Sequence, residues 1–139
     1  MNRFFADTFY WIALIHRKDA RHKAVLQWSR AAESVFICTT EEVLTEVLAF
    51  CSSDEGLRAD AAGVVRSIMK APEVRVLPQS HESFLDGLDL YETRPDKQYS
   101  LTDCISMQAM RRERISEALT NDRHFEQEGF RAVFRDKYI

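Results

Sequence analysis

Four acidic residues stand at positions where a chain could use them for chemistry. Asp7 ends the apolar run Phe4-Phe5-Ala6 and is followed by Thr8. Asp122 comes two residues after Ala118-Leu119-Thr120, another short apolar run. Asp103 lies in the first turn of a helical stretch that Ser100 or Thr102 can cap. Glu46 lies early in the helical stretch that follows Val35 to Thr39. Acids at the carboxyl ends of parallel strands, and at the starts of the helices that follow, share one edge of a sheet. Side chains far apart in sequence can therefore meet there.

Such a cluster repels itself, because neighbouring like charges raise carboxyl pKa values and oppose full ionisation. A divalent cation reverses that balance. Magnesium and manganese take oxygen ligands and keep water in the remaining positions. Ions held in this way can activate a water and stabilise a leaving oxyanion in phosphodiester cleavage. Each acid also has a plainer use. Asp7 and Asp122 can cap the helices that follow them, and Asp103 can simply favour the positive end of its helix. Glu41, Glu42 and Glu46 crowd one helix. Glu42 points furthest from its apolar stripe, but Glu41 and Glu46 lie comparably close, so the helical wheel does not choose between them.

Alternating elements must position these acids. Arg3 to Ala6 reads as a strand and Thr8 to His16 as a helix, with a second helical pattern over Asp19 to Ala32. Val35 to Thr39 is rich in strand formers, and Thr40 can cap the helix that carries Val43, Leu44, Val47, Leu48 and Cys51 as a stripe. Asp54 can cap a helix to about Lys70, ahead of Pro72. Val74 to Leu77 is a short strand, and Ser80 begins a helix to about Thr93. A polar loop, 94–99, precedes the Ser100 helix, which runs to Arg114. Ala118 to Thr120, Arg123 to Glu128 with Gly129 as stop, and Ala132 to Phe134 read as strand, helical turn and final edge strand. Strands separated by helices need right-handed crossovers. The expected fold is thus an α/β layer structure with a mainly parallel sheet of four to five strands between helices.

The 139 residues, with 45% hydrophobic and 29% charged, suit a single globular domain spanning 1–139. A net charge of −3 shows no broad basic field for nucleic acid, although bound cations would change that locally. Cys38, Cys51 and Cys104 are scattered, with no C-x-x-C pair, which argues against structural zinc and fits reduced core thiols. The apolar stretch Phe4 to Ile15 is interrupted by Asp7 and too short to span a bilayer. The expectation is a soluble, cytoplasmic protein with no membrane segment. No Gly-rich nucleotide loop occurs. A response-regulator receiver would pair adjacent acids after its first strand, whereas Asp7 stands alone.

Taken in order, the motifs resemble the PIN domain, especially VapC-type toxins. Phe5-Ala6-Asp7-Thr8-Phe9-Tyr10-Trp11-Ile12-Ala13-Leu14 is similar to the first motif and Val43-Leu44-Thr45-Glu46-Val47-Leu48 to the second. Tyr99-Ser100-Leu101-Thr102-Asp103-Cys104 resembles the third, and Ala118-Leu119-Thr120-Asn121-Asp122-Arg123-His124-Phe125 the fourth. Phe9 departs from the small or hydroxylated residue frequent at its position. The resemblance implies a three-layer α/β/α fold and selects Glu46 among the helix acids. It also implies a Mg²⁺- or Mn²⁺-dependent endoribonuclease, with Asp7 and Asp103 holding the ion and Glu46 and Asp122 completing the site. Thr8, Thr120, Asn121 and Arg123 would orient ligands or RNA. A small antitoxin protein and a homodimer are implied as well. The rival reading is a PIN-like binding module for RNA or protein that lacks catalysis.

Other residues have plainer readings. Arg111, Arg112 and Arg114 could meet an RNA backbone, but a solvated helix face is the simpler use. His124 reads as a packing or hydrogen-bonding residue. Cys104 reads as a small buried side chain, and Trp11 and Trp28 as core or dimer-face residues.

Overall fold

The structure is a computed structural model that describes residues 2–136. Five strands form one parallel sheet in the order β3-β2-β1-β4-β5. They are β1 (Asn2–Ala6), β2 (Val35–Thr40), β3 (Val74–Leu77), β4 (Glu117–Leu119) and β5 (Arg131–Ala132). The helices are α1 (Thr8–Ile15), α2 (His22–Ala31), α3 (Glu41–Phe50), α4 (Glu55–Lys70), α5 (His81–Thr93), α6 (Leu101–Glu113), α7 (Arg123–Gln127) and α8 (Val133–Asp136). The chain runs outward from β1 through β2 to β3, then returns across the sheet to β4 and β5. Right-handed crossovers therefore put α1 to α4 on one face and α5 to α7 on the other. α1 touches α2, α3 and α4, α5 lies along α6, and α3 also meets α6. The three-layer α/β/α expectation holds.

One hydrophobic core includes residues from the strands and from both helical layers. Phe5, Ala6, Cys38, Ala118 and Leu119 are fully buried within the strands. Val25, Val43, Val47 and Ala61 cover them from the first helical layer, and Met107, Met110 and Phe125 from the second. Phe9, unusually large for its position, leans on Phe134 with ring centroids 5.7 Å apart. Trp11 is buried, and Trp28 packs edge-on against Phe4 and Tyr10.

The helix starts obey local chemistry. Thr40 accepts from the Val43 amide and Asp54 from the Leu57 amide, and Ser80 and Ser83 form a reciprocal capping box. Ser100, not Thr102, caps α6. Two expected boundaries move by more than one residue. The helix expected from Asp19 starts only at His22, because Asp19 accepts from the Arg21 amide and forms a turn instead. The expected edge strand Ala132 to Phe134 is wrong in extent: β5 ends at Ala132, and Val133 and Phe134 turn into α8. There the Phe134 amide bonds the Thr120 carbonyl rather than a neighbouring strand. Among the described residues no helix is long and apolar enough to cross a membrane.

Candidate metal centre and active site

The strand order reverses between β1 and β4, and open α/β sheets bind ligands in the crevice at such a point. Asp7 and Thr120 are the residues just past the ends of these two strands. Asp7 is 6% exposed, and it occupies the N-cap position of α1 without making a capping hydrogen bond. Its carboxylate instead accepts from the Thr120 hydroxyl at 2.9 Å. The same hydroxyl accepts from the Asp122 amide at 3.1 Å. One buried side chain thus locks the first acid to the backbone that carries the fourth.

Asp103 and Asp122 both act as caps and also face the pocket. Asp103 closes a capping box, accepting from the Ser100 amide at 3.1 Å. Asp122 accepts from the His124 amide at 2.9 Å. Their capping roles and their place in the cluster coexist, because the helix starts that need caps lie on the ligand-binding edge. The structure also separates the three helix glutamates. Glu41 accepts from the Gln79 amide and Glu42 from the Ser83 hydroxyl, both on the side of α5. Glu46 turns the other way and accepts from the Thr8 hydroxyl beside Asp7.

The charges are felt across the pocket. Burial, reinforced by the carboxylates of Asp103 and Glu46, pushes the Asp7 carboxyl up to about 7 from an ordinary 3.8. Burial raises the Asp103 carboxyl too, with the Asp122 charge adding to it. Among the described residues no lysine or arginine pairs with any of the four acids. A carboxylate cluster with Asp7 buried, Asp103 and Asp122 half-buried and Glu46 exposed, and with His124 as its one neighbouring base among the described residues, has the donor chemistry of a dication site. Asp103, Asp122 and His124 each bring one ligand atom within 4.8 Å of the others.

The remaining expected residues divide. Thr8 and Thr120 lie on the acids. Asn121 is half-buried beside them and accepts through its carbonyl from Arg135. Arg123 is exposed at the start of α7 and makes no ion pair among the described residues. The basic residues of α6 are committed elsewhere: Arg111 pairs with Glu128 and Arg112 with Asp86. Cys104 is fully buried, and burial with the Asp103 charge lifts its thiol to about 11, so it carries little thiolate at neutral pH.

Two groups carry more than the sequence assigns them. His124 places Nδ1 3.4 Å from Asp122 and 3.5 Å from Asp103, with its ring against Tyr99. Its position directly after the last acid was the available signal. The second group is Glu128, whose carboxylate side chain is only 4% exposed. It accepts from Arg94 Nε at 2.9 Å, Arg94 Nη2 at 3.0 Å, Tyr99 at 3.0 Å and also Arg111. This clamp ties the 94–99 loop to the end of α7, and so fixes the approach to Ser100 and Asp103. Nothing in the sequence marks it, because Glu128 looks like any charged residue near a helix end.

Burial alone would raise the Glu128 carboxyl. The bonds from Arg94, Arg111 and Tyr99 win, and hold it at about 2 against an ordinary 4.5. A carboxyl depressed on folding stabilises the fold above its unfolded value and loses that contribution as pH falls through the folded value. The clamp is therefore fully in force above pH 4.5 and fades toward pH 2. Glu128→Gln should cost about 1–3 kcal/mol in urea unfolding at pH 7. The gap to the unsubstituted protein should narrow toward pH 3. Equal stability at pH 7 would show that the clamp is dispensable.

The family model described as PIN domain matches residues 4–130 of the chain. No curated protein gives a significant match. Among solved structures, the chain is similar to Mycobacterium tuberculosis VapC20, described as a sarcin-ricin loop cleaving toxin. The TM-score is 0.80 and the identity 26%, over 91% of this chain and 95% of that one. It also resembles a chain of Rickettsia felis VapBC2, solved bound to a DNA fragment from its promoter. There the TM-score is 0.61 and the identity 12%, over 91% of this chain and 92% of the other.

Proposed function

This chain belongs to the PIN domain family, and on that premise we propose that it is a metal-dependent endoribonuclease, the toxin of a type II toxin–antitoxin pair. The observation that carries the reading is the state of Asp7. It is a buried carboxylate pressed by two others, with no basic partner among the described residues. A fold does not keep that arrangement cheaply, and the charge that would relieve it is a dication. The 26% identity to a toxin that cleaves the sarcin-ricin loop supports the toxin assignment and an RNA substrate.

Asp7 and Asp103 would hold Mg²⁺ or Mn²⁺, with Glu46 and Asp122 completing the site. When bound, the ion supplies Lewis acidity to an attacking water and to the phosphate charge that grows during hydrolysis. The chain's own residues do the positioning. Thr120 fixes the rotamer of Asp7 and the backbone at Asp122, and Thr8 holds Glu46 toward the pocket. Ser100 pins Asp103 at the first turn of α6. Preorganised ligands of this kind need no rearrangement as charge develops. Arg123, exposed beside Asp122 and without an ion pair among the described residues, would meet an RNA phosphate. On this reading the protein works in the cytoplasm, as a homodimer restrained by a small antitoxin.

Purified protein should cut RNA in Mg²⁺ or Mn²⁺ and stop on addition of EDTA. Mapping of 5′ ends in total RNA after induced expression should show discrete new termini. Cleavage that persists in EDTA would contradict metal dependence. A folded protein that leaves all RNA intact with either ion would favour a binding module instead.

A further inference from the structure

The His124 ring is held from three sides. Its backbone amide donates to Asp122, its face lies 5.3 Å from the Tyr99 ring, and Nδ1 points between the carboxylates of Asp103 and Asp122. That nitrogen is closed off from solvent and has no hydrogen-bond partner. A buried polar atom left unmet costs about 1–3 kcal/mol, so its persistence calls for a partner. The neighbouring oxygens come to ion-pair distance and no closer: 3.4 and 3.5 Å exceed the 2.7–2.9 Å or so of a charge-assisted hydrogen bond.

Those separations match the tetrahedral edge of a coordination shell and exceed the octahedral one by about 0.4–0.5 Å, a gap that a bound octahedral ion would close by drawing the donors together. Donors at about 2.1 Å from one ion lie about 3.0 Å apart in an octahedron and about 3.4 Å apart in a tetrahedron. Imidazole nitrogen is a poor ligand for magnesium and a good one for transition ions, while carboxylate suits both. Resting on the reading of the acidic pocket as a dication site, we propose that Nδ1 of His124 is a further donor to it, a nitrogen added to the acids on the side of Asp103 and Asp122. The pocket then takes a nitrogen-accepting divalent transition ion such as Mn²⁺ in preference to Mg²⁺.

The test is pulsed electron paramagnetic resonance on the full chain loaded with Mn²⁺, with calorimetry for both ions. A directly bound ¹⁴N coupling is expected, changing to a ¹⁵N pattern when the histidines are ¹⁵N-labelled. His124→Asn should remove the coupling and weaken Mn²⁺ binding by about tenfold or more, with Mg²⁺ affected less than about threefold. Should that variant fail to fold, the spectrum of the unsubstituted protein decides alone. Bound Mn²⁺ without nitrogen coupling overturns the His124 assignment and leaves the carboxylate site standing. No Mn²⁺ binding at all removes the dication site and this donor with it.

Discussion

Asp7→Asn should abolish RNA cleavage and leave the metal-free protein more stable than before. The two effects share one cause. Burial and the charges of Asp103 and Glu46 lift the Asp7 carboxyl from 3.8 to about 7. A carboxyl raised on folding keeps its proton longer in the folded state. The Asp7 penalty is therefore absent below pH 3.8 and grows as pH rises toward about 7. The full penalty at neutral pH is about 3–4 kcal/mol. Asparagine keeps the shape and an acceptor for the Thr120 hydroxyl but carries no charge. Recovering even half the penalty would raise the melting temperature by several degrees in a chain of this size. The catalytic loss is larger: Lewis-acid assistance is worth several kcal/mol, and about 4 kcal/mol is a thousandfold in rate. A variant that melts higher in EDTA and no longer cuts RNA is the expected result. Full activity in Asp7→Asn would remove Asp7 from the metal site. A lower melting temperature would show that the carboxylate is not strained.

Gly87→Ala should destabilise the fold although it replaces glycine by the best helix former. In an open helix the exchange gains about 1 kcal/mol. At Gly87 the added carbon would sit 2.3 Å from Ile105 Cγ1, and 3.2 and 3.3 Å from the Ile105 backbone. The side-chain clash can be relieved by a new rotamer, but the backbone contact requires α5 and α6 to part. Overpacking of this kind costs about 1–3 kcal/mol, so the net change is unfavourable by about 1–2 kcal/mol. Activity should fall as well, because Asp103 is only half a turn from Ile105 on α6. Gly63→Ala is the contrast, since nothing lies within 4 Å of its added carbon in the middle of α4. It should gain up to about 1 kcal/mol. Denaturant unfolding of both variants checks the pair. Equal behaviour would mean that the α5–α6 contact is loose.

Much of this architecture is readable from local pattern, because local pattern is what sets it. Thr40, Asp54, Ser80 and Ser100 announce helix starts through their own short hydroxyl or carboxylate side chains. The alternation of β and α segments implies the parallel sheet. What stayed hidden depends on contacts across the fold. Strand order places the crevice between β1 and β4, and no single segment encodes it. Glu46 and Glu41 are equivalent on a helical wheel, and only Thr8 on one side and Gln79 on the other distinguish them. The family resemblance selects Glu46, and the geometry supplies the reason by turning it toward Asp7. Glu128 gains its importance from Arg94, Tyr99 and Arg111, up to 34 residues away. The end of β5 failed because Val133 and Phe134 have strand propensity. Phe134 is instead drawn into the aromatic cluster with Phe9, Tyr10 and Trp28. Burial there outweighs intrinsic preference.

Titration calorimetry of Mn²⁺ into the metal-free protein addresses the acidic pocket without depending on a chosen RNA. The predicted outcome is saturable binding at millimolar ion or below, lost in Asp103→Asn, a change that keeps the Ser100 capping acceptor and hence the fold. Absence of binding at millimolar Mn²⁺, or undiminished binding in Asp103→Asn, would contradict a dication held by these side chains.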